Sequence, residues 1–353
     1  MGKEFGKKKL FIWASVFFMA LAALVFAATI DSITLYSPGN NTITNDTTPT
    51  FNFSVSGSET NYSYELYVCN ESYSLFTFNS SGDIIGTEAN SNSCNGCDSG
   101  FVGVPGDSDF GTSDFCVMKY EAKDVGDVAT SQADLGPWVS ISQTSAIAKC
   151  SAIGAHLCTV NETQTINRNI EQVAGNWQGG TVGSGCMFGG HMDNHPASAL
   201  AGSTDDDPYY GTTDSAAEAV VCPFDITDGG KASRRTMNLS NGGIIWDWSG
   251  NVWEWIYGEG ASGTVGSGWY GTAGWIDWNN ANLDDPERGR LGPSNSSWTS
   301  SNGMGQYYGG ISTNAVLRGG YWTDGASAGP FCARLVNAPT TTSTNIGFRC
   351  CSS

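Results

Sequence analysis

Residues 318–349 read RGGYWTDGASAGPFCARLVNAPTTTSTNIGFR, and this stretch alternates two kinds of residue. Glycines, aromatic residues and arginines recur at intervals, and small or polar residues fill the gaps between them. Glycine permits backbone conformations that other residues resist, and large apolar side chains can anchor a loop in the core. We therefore interpret the recurring residues as a scaffold and predict four buried anchors, namely Trp322, Phe331, Leu335 and Phe348.

The chain begins with the pattern of an export signal. Four lysines between residues 3 and 9 precede an apolar run over residues 10–28, and Ala27 and Ala28 offer a signal-peptidase site. The run is also long enough to cross a bilayer as an uncleaved anchor. We predict residues 1–28 to be a signal peptide or an N-terminal membrane anchor. Either outcome makes the rest of the chain extracellular or displayed at the cell surface.

The charge balance excludes one class of partner. The 353 residues carry a formal net charge of −18. Residues 1–28 contain four lysines and one glutamate, so the exported part alone carries −21. Nucleic-acid binding is excluded because phosphate contacts require a basic face. The acidity fits both a solvated extracellular surface and calcium binding, and it does not choose between them.

All eleven cysteines lie beyond the apolar run. In an oxidising compartment most of them should pair, and an odd number leaves at least one over. Cys94 and Cys97 form a CxxC spacing, but no second CxxC accompanies it. We therefore interpret this pair as part of a structural disulfide framework rather than as a metal or redox site.

The chain divides by composition into three parts after residue 28. Apolar residues alternate from Phe51 to Val55 and from Tyr64 to Val68, which indicates short strands. Six of the nine N-x-S/T sequons also fall within residues 29–82, so we predict a glycosylated β module there. Residues 83–109 are rich in Gly, Ser, Asn and Cys and are predicted to be a linker. Residues 110–353 form the main predicted domain.

Two helices are predicted near the start of that domain. The first covers TSAIAKCSAIGAHL (residues 144–157), has apolar residues at helical spacing and stops at Gly154. The second opens with Thr159 and Glu162, which have the spacing of a capping box. No further long helix is predicted. We expect residues 178–320, which are rich in Gly, Asn and Trp, to form loops and short strands around aromatic anchors.

Four stretches, taken in order, resemble one known family. They are FCVMKYEA, AKCSAIGAHLCTVNE, WDWSGNVWEW and the RGG.W and GFRC ends of the C-terminal segment. Together they resemble the formylglycine-generating-enzyme-like (sulfatase-modifying-factor) branch of the C-type lectin fold. The resemblance implies an α+β domain with short antiparallel strands, two helices and extensive loops. Residues 29–82 resemble part of a bacterial or archaeal immunoglobulin-like module, which implies a small β-sandwich-like module before it.

Membership of this family does not fix an activity, because the fold hosts both oxidases and binding proteins. The family's oxidases hold copper with two cysteines shortly after the RGG motif, since thiolates suit that metal. Residues 321–331 contain no cysteine, and Cys332 lies too far along to supply a pair. We therefore expect no enzyme activity of this type, and a formylglycine-generating or other oxidase is kept as the alternative.

A histidine-dependent branch of the family fits no better. The iron-dependent sulfoxide synthases need a histidine cluster, and this chain has three histidines in all. His191 and His195 have an HxxxH spacing but stand in a predicted loop. We interpret them as polar loop residues rather than as metal ligands.

Residues 318–349 also resemble the variable region of proteins that diversity-generating retroelements rewrite on this fold. That resemblance implies a surface-displayed protein whose C-terminal loop face binds a variable extracellular protein or glycan. An ordinary Ser/Thr-rich loop, on a structural surface protein that binds nothing, is the alternative. The ligand-binding candidates are the residues between the scaffold positions: Tyr321, Thr323, Asp324, Ser327, Cys332, Ala333, Arg334, Val336, Asn337, Thr341, Ser343 and Asn345.

The family resemblance implies two further features. Members join the cysteine of the first helix to the one in GFRC, which here would pair Cys150 with Cys350 and make Cys332 the candidate for the unpaired cysteine. Some members bind calcium at the GN.WE turn through residues that correspond to Asn251, Val252 and Glu254. Local hydrogen bonding of Glu254 is the alternative. No other cofactor is expected.

Overall fold

The structure is a computed structural model that describes residues 97–192, 198–199, 234–272 and 274–353, and the backbone of seven strands before them. The chain divides into two compact units, residues 1–99 and residues 100–353. His195 and Cys94, on which two of the sequence interpretations depend, lie outside the described residues.

The described strands of the first unit form three antiparallel sheets, with strand orders β1-β2, β3-β4 and β5-β6-β7. The strands β4 and β5 confirm the two predicted from alternation, whereas β7 falls in the predicted linker. The immunoglobulin-like assignment and the export signal stay predictions. The strands are β1 (Lys8–Ile12), β2 (Ala22–Phe26), β3 (Ile30–Ser37), β4 (Asn52–Gly57), β5 (Tyr64–Tyr67), β6 (Ser74–Phe78) and β7 (Ile84–Ala89).

The second unit is a mixed α and β domain with three helices among its described residues. They are α1 (Gln143–Ala152), α2 (Val160–Glu171) and α3 (Asp285–Leu291). None of them has the length and hydropathy needed to span a bilayer. The strands are β8 (Phe101–Val104), β9 (Phe115–Met118), β10 (Lys123–Val125), β11 (Val128–Thr130), β12 (His156–Leu157), β13 (Thr236–Asn238), β14 (Ile244–Trp246), β15 (Trp253–Ile256), β16 (Tyr307–Tyr308), β17 (Ala315–Arg318), β18 (Ala333–Asn337), β19 (Ile346–Phe348) and β20 (Cys350–Ser352).

Two sheets organise this unit. The order β12-β20-β9-β8 is antiparallel throughout, and β8 belongs to it although its residues fall in the predicted linker. The larger sheet has the order β16-β18-β17-β15-β19, in which β16 pairs with β18 and β15 with β19 in parallel. The expectation of purely antiparallel strands is therefore wrong for these two pairs, because β15 and β19 are joined by a long crossover rather than by a hairpin.

The two predicted helices are confirmed, and a third was missed. Helix α2 begins with the predicted capping box, in which Thr159 accepts from the Glu162 amide and the Glu162 carboxylate accepts from the Thr159 amide. Helix α3 uses the same device with Asp284 and Glu287, and Pro286 stands in its first turn. The sequence Asp-Asp-Pro-Glu carried that signal.

The core lies on both faces of the five-stranded sheet, because successive side chains of a strand point to opposite faces. On one face Trp255 of β15 is paired in register with Leu317 and Phe348, and all three side chains are fully buried. On the other face Ile256 and Val316 belong to a separate cluster of buried apolar residues. The C-terminal segment thus supplies strands to the middle of the core.

Candidate ligand-binding face

A buried ion cluster holds the two ends of the segment 318–349 together. Glu254 of β15 lies between Arg318 of β17 and Arg349, and all three side chains are at most 3% exposed. Arg349 Nε donates to Glu254 Oε1 at 2.7 Å, and Arg318 Nη2 donates to Glu254 Oε2. The Arg318 guanidinium also lies over the Trp248 ring, 3.3 Å from its centroid. The arginines of RGG and GFRC therefore both form ion pairs with the Glu254 carboxylate.

Arg349 does more than neutralise that carboxylate. Its Nη1 donates to the carbonyl oxygens of Met118 at 3.1 Å and Lys119 at 3.0 Å, next to the smaller sheet. Its Nη2 donates to the carbonyl oxygens of Trp246 and Asp247, the latter at 3.0 Å. Carbonyl groups that are buried in this way need donors, so this one side chain joins two separate parts of the backbone, at Met118–Lys119 and at Trp246–Asp247.

Disulfides fasten the end of the segment. The pair that the resemblance implies, Cys150 of α1 and Cys350 of β20, is a disulfide with an S–S distance of 2.02 Å. A second disulfide joins Cys158 to Cys351. Among the described cysteines Cys332 is the free thiol, and burial raises its pKa well above the usual value. The first helix and the last strand are thus covalently joined.

The predicted binding residues on β18 separate by the alternation of the strand. Ala333 and Leu335 face the core at 1% and 0% exposure, whereas Arg334 and Val336 are half-buried. The prediction is therefore wrong for Cys332 and Ala333, since side chains 1% exposed do not reach a ligand. Both residues are small, and the sequence offered no sign that they fill the core rather than the surface.

A second group of predicted residues forms the turn that follows β17. The amide of Tyr321 donates to Asp324 Oδ2 at 3.0 Å, and Ser327 Oγ donates to Gln306 Oε1 at 2.7 Å. Burial raises the pKa of Asp324 to about 6, although the Arg334 charge opposes that rise. Tyr321, Asp324, Ser327 and Arg334 therefore lie together, with Thr323 exposed beside them.

The anchor prediction holds for Phe331, Leu335 and Phe348, which are at most 1% exposed. It is wrong for Trp322, which is half-buried and contacts Tyr321 edge-on, with 5.1 Å between ring centroids. The Trp322 amide, and not its ring, is what joins the scaffold, since it donates to the Asn251 carbonyl oxygen at 3.2 Å.

The last three predicted residues lie in the loop between β18 and β19. The Ser343 carbonyl oxygen accepts from the Ser140 amide at 2.9 Å, and that of Asn345 accepts from the Trp253 amide at 2.9 Å. Thr341 stands in the same loop and is half-buried. The loop is thus hydrogen-bonded to the segment before α1. The binding candidates therefore divide into two groups, one on β18 and in the turn after β17, and one in this loop.

Asn337, which ends β18, is half-buried, and its Oδ1 has no hydrogen-bond partner among the described residues.

Two aromatic residues that the sequence did not single out lie beside Arg334. Trp275 stacks on the buried Trp253 with 6.0 Å between centroids and 7° between ring planes. Tyr308 of β16 meets Trp275 edge-on at 5.3 Å and 86°, and the Arg334 guanidinium lies 5.9 Å from the centroid of its ring. Both Trp275 and Tyr308 are half-buried. We name the group of Trp275, Tyr308 and Arg334 the aromatic platform.

Asn251 and Glu254, two of the three residues implied as calcium ligands, are engaged with protein groups. Asn251 has a positive φ of 57°, and its Nδ2 donates to Glu121 Oε2 at 2.5 Å. The Val252 amide lies 3.4 Å from the other Glu121 oxygen. Burial, together with the charges of Asp247 and Glu254, raises the pKa of Glu121 to about 8. A raised pKa makes this carboxyl a weaker ligand for calcium.

Glu254 is not available either, because each of its oxygens accepts from an arginine. Arg318 and Arg349 already bring two positive charges to this carboxylate, and calcium prefers sites rich in unpaired carboxylate and carbonyl oxygens. The described residues also contain no group of three His, Cys, Asp or Glu side chains placed to hold a metal ion. As arranged, Asn251, Val252 and Glu254 do not fit a calcium site.

A separate cleft of about 700 Å³ lies between α2 and α3. Asp107, Phe110, Arg168, Glu171 and Arg290 are among its lining residues, so carboxylates and guanidinium groups are mixed. None of the predicted binding residues lines it.

Comparison with known proteins gives structural likeness only. No protein-family model matches the sequence, and no curated protein sequence matches it either. Among solved structures, Treponema denticola variable protein 1 is 14% identical over 68% of this chain and 84% of that chain, with a TM-score of 0.29. Major Tropism Determinant I1 variant is 15% identical over 98% and 86%, with a TM-score of 0.29. PvdO from Pseudomonas aeruginosa is 13% identical over 72% and 90%, with a TM-score of 0.30. The chain is similar to these three proteins at low identity and low TM-score.

Proposed function

We propose that the chain is an exported, surface-displayed binding protein with a formylglycine-generating-enzyme-like domain of the C-type lectin fold. Its C-terminal face, within residues 318–349, would bind a variable extracellular protein or glycan and would be diversified by a retroelement. One observation carries the proposal: within a single segment, the scaffold residues are buried and bonded while half-exposed polar residues alternate with them. A binding surface that changes by mutation needs this separation.

The backbone of the segment is held by residues other than Thr323 and Arg334. Gly319 and Gly320 have φ of +85° and +83°, which only glycine adopts easily. A Cβ atom on Gly320 would lie 2.7 Å from the Ala328 Cα, so no other residue fits there without a shift. The buried ion cluster around Glu254 and the buried Phe331 side chain also hold this backbone in place. Substitution of Thr323 or Arg334 should therefore leave the backbone in place.

The oxidase alternative needs a pair of thiolates near the RGG motif. In the part of the chain that the structure describes, Cys332 is the free cysteine, and it is 1% exposed with a raised pKa. A buried protonated thiol is a poor metal ligand. This environment supports binding over copper oxidation as the function.

A displayed library tests the proposal against the structural-protein alternative. Tyr321, Thr323, Arg334, Val336 and Asn337 would be randomised together, and a matched library would randomise Ala333, Leu335, Ile346, Phe348 and Phe331. We expect most members of the first library, and few of the second, to resist protease at the cell surface.

Selection of the first library on hen lysozyme, as an arbitrary probe protein, should then yield binders. Equal protease sensitivity of the two libraries, or the failure of the folded first library to yield any binder, would show that the segment is not an adaptable binding face.

A further inference from the structure

We propose that, in this chain, the aromatic platform binds a neutral glycan that ends in one acidic sugar. The sugar ring would stack on Trp275, and its carboxylate would be bound by Arg334. The inference rests on the proposed binding function and names its ligand class, and it adds the fixed residues Trp275 and Tyr308 to the site.

The first support is the shape of the platform. Trp253 is 1% exposed and covers one face of the Trp275 indole in a nearly parallel stack. Since Trp275 is itself half-buried, its exposed area belongs to the rest of the ring. Tyr308 stands at 86° to this indole and forms a wall beside it. A rigid flat ring with a perpendicular neighbour suits a sugar ring, whose C–H groups carry the partial positive charge that an aromatic face attracts.

The second support is the state of Arg334. Among the described residues, no hydrogen bond or ion pair uses its guanidinium, which has five N–H donors. The group is near enough to Asp324 to lower the pKa of that carboxyl, but it makes no hydrogen bond to it. A half-buried guanidinium with unused donors is built for a carboxylate, which it can bind through two parallel hydrogen bonds.

The two features are neighbours on one face. Arg334 is paired in register with Tyr308, and the Tyr308 ring contacts both the Trp275 ring and the Arg334 guanidinium. One sugar ring with a carboxylate substituent can therefore reach both groups at once. A ligand with the ring alone or the carboxylate alone would use half of the platform.

The charge of the whole chain limits the ligand to a few negative charges. The exported part carries −21, so a polyanion such as an acidic polysaccharide would be repelled over a Debye length of about 8 Å at physiological salt. A glycan with a single terminal carboxylate avoids that repulsion and still engages Arg334. Neutral sugars can fill the space beyond it.

Sialyllactose and lactose provide a matched pair of probes, because they share the neutral part and differ by the acidic sugar. Binding to the purified exported chain would be measured by calorimetry and by the change in tryptophan fluorescence. We expect sialyllactose to bind at least about tenfold more tightly than lactose, the ratio expected for one charge-assisted pair. Arg334→Gln should abolish the preference, and Trp275→Ala should weaken the binding of sialyllactose.

Arg290→Gln is the control variant, because Arg290 also lies over an indole, that of Trp269, but is ion-paired with Glu259 at 3.3 Å. It should keep the full preference, and a thermal melt of each variant would show that it is folded. Equal binding of the two probes, no binding of either, or a preference that survives Arg334→Gln overturns the acidic-sugar assignment. If the randomised library nevertheless yields binders, the proposed binding function stands without it.

Discussion

Arg349 and Arg334 belong to the same C-terminal segment, and the guanidinium group of each lies within 6 Å of an aromatic ring centroid, at 5.7 Å from Trp248 and 5.9 Å from Tyr308. Arg349 is 1% exposed and donates to Glu254 and to four backbone carbonyl groups. The Arg334 side chain is half-buried, and its guanidinium donates to none of the described residues. The same residue type thus belongs in one place to the buried scaffold of the segment, which we call the frame, and in the other to its half-exposed surface, which we call the face.

The difference shows that hydrogen bonds and ion pairs to buried groups, and not the residue type, distinguish the frame from the face. A frame residue satisfies groups that would otherwise be buried without a partner, so its loss leaves a penalty behind. A face residue leaves nothing unsatisfied when it is removed. The following predictions test this contrast, from the largest expected effect to the smallest.

The largest effect is expected when the two arginines are exchanged for methionine. Arg349→Met leaves the Glu254 charge half compensated and several carbonyl groups without donors, so it should cost about 3 to 5 kcal/mol of unfolding free energy. Arg334→Met should change the unfolding free energy by about 0.5 kcal/mol or less. Urea unfolding followed by tryptophan fluorescence measures both. Similar costs for the two variants would abolish the distinction between frame and face.

A smaller effect is expected from the pH dependence of stability. Burial raises the pKa of Asp324 from 3.8 to about 6, so the folded state holds this proton more tightly than the unfolded state. The contribution to stability is complete below pH 3.8 and is lost as the pH rises through about 6. Asp324→Asn should therefore flatten the profile of Tm against pH and should stabilise the protein by about 1 to 2 kcal/mol near neutral pH.

Asp134→Asn is the control for that experiment, because Asp134 is exposed. Its profile of Tm against pH should follow that of the unchanged protein. If Asp324→Asn also follows it, then Asp324 is solvated in solution and does not belong to a half-buried turn.

The smallest effect is expected from calcium. Because Arg318 and Arg349 occupy both carboxylate oxygens of Glu254, calcium or a chelator should shift Tm by less than about 1 °C. Terbium offers a more sensitive readout, since Trp253 and Trp255 flank Glu254 and would sensitise its luminescence. Saturable luminescence that calcium displaces would show that the turn does bind the ion, as the family resemblance implies.

Much of the fold could be predicted from short motifs that report local geometry. The capping box at Thr159 located α2, and the glycine at Gly154 located the end of α1. Helix α3 was missed although Asp284 and Glu287 carry the same signal, because its seven residues are too few to show periodicity. Strand β8 was missed because a Gly- and Ser-rich neighbourhood resembles a linker whatever it pairs with.

The candidate site was harder to predict because exposure depends on distant packing. Trp253 and Trp275 are the same residue type in the same Trp-rich region, yet one is buried beneath the other. Nothing in their local sequence distinguishes them. Cys332 and Ala333 show the reverse error, since small residues look like surface filler until their strand is placed in the sheet.

The most direct test of the central claim is a scan of thermal stability across residues 318–349 with single alanine substitutions, measured on the purified exported chain. The account predicts two separate groups. Arg318, Phe331, Leu335, Phe348 and Arg349 should each cost about 3 kcal/mol or more. Thr323, Arg334, Val336, Thr341 and Ser343 should each fall within about 0.5 kcal/mol of the unchanged protein. A single continuous distribution, in which these two sets overlap, would contradict the division of the segment into a fixed frame and a replaceable face.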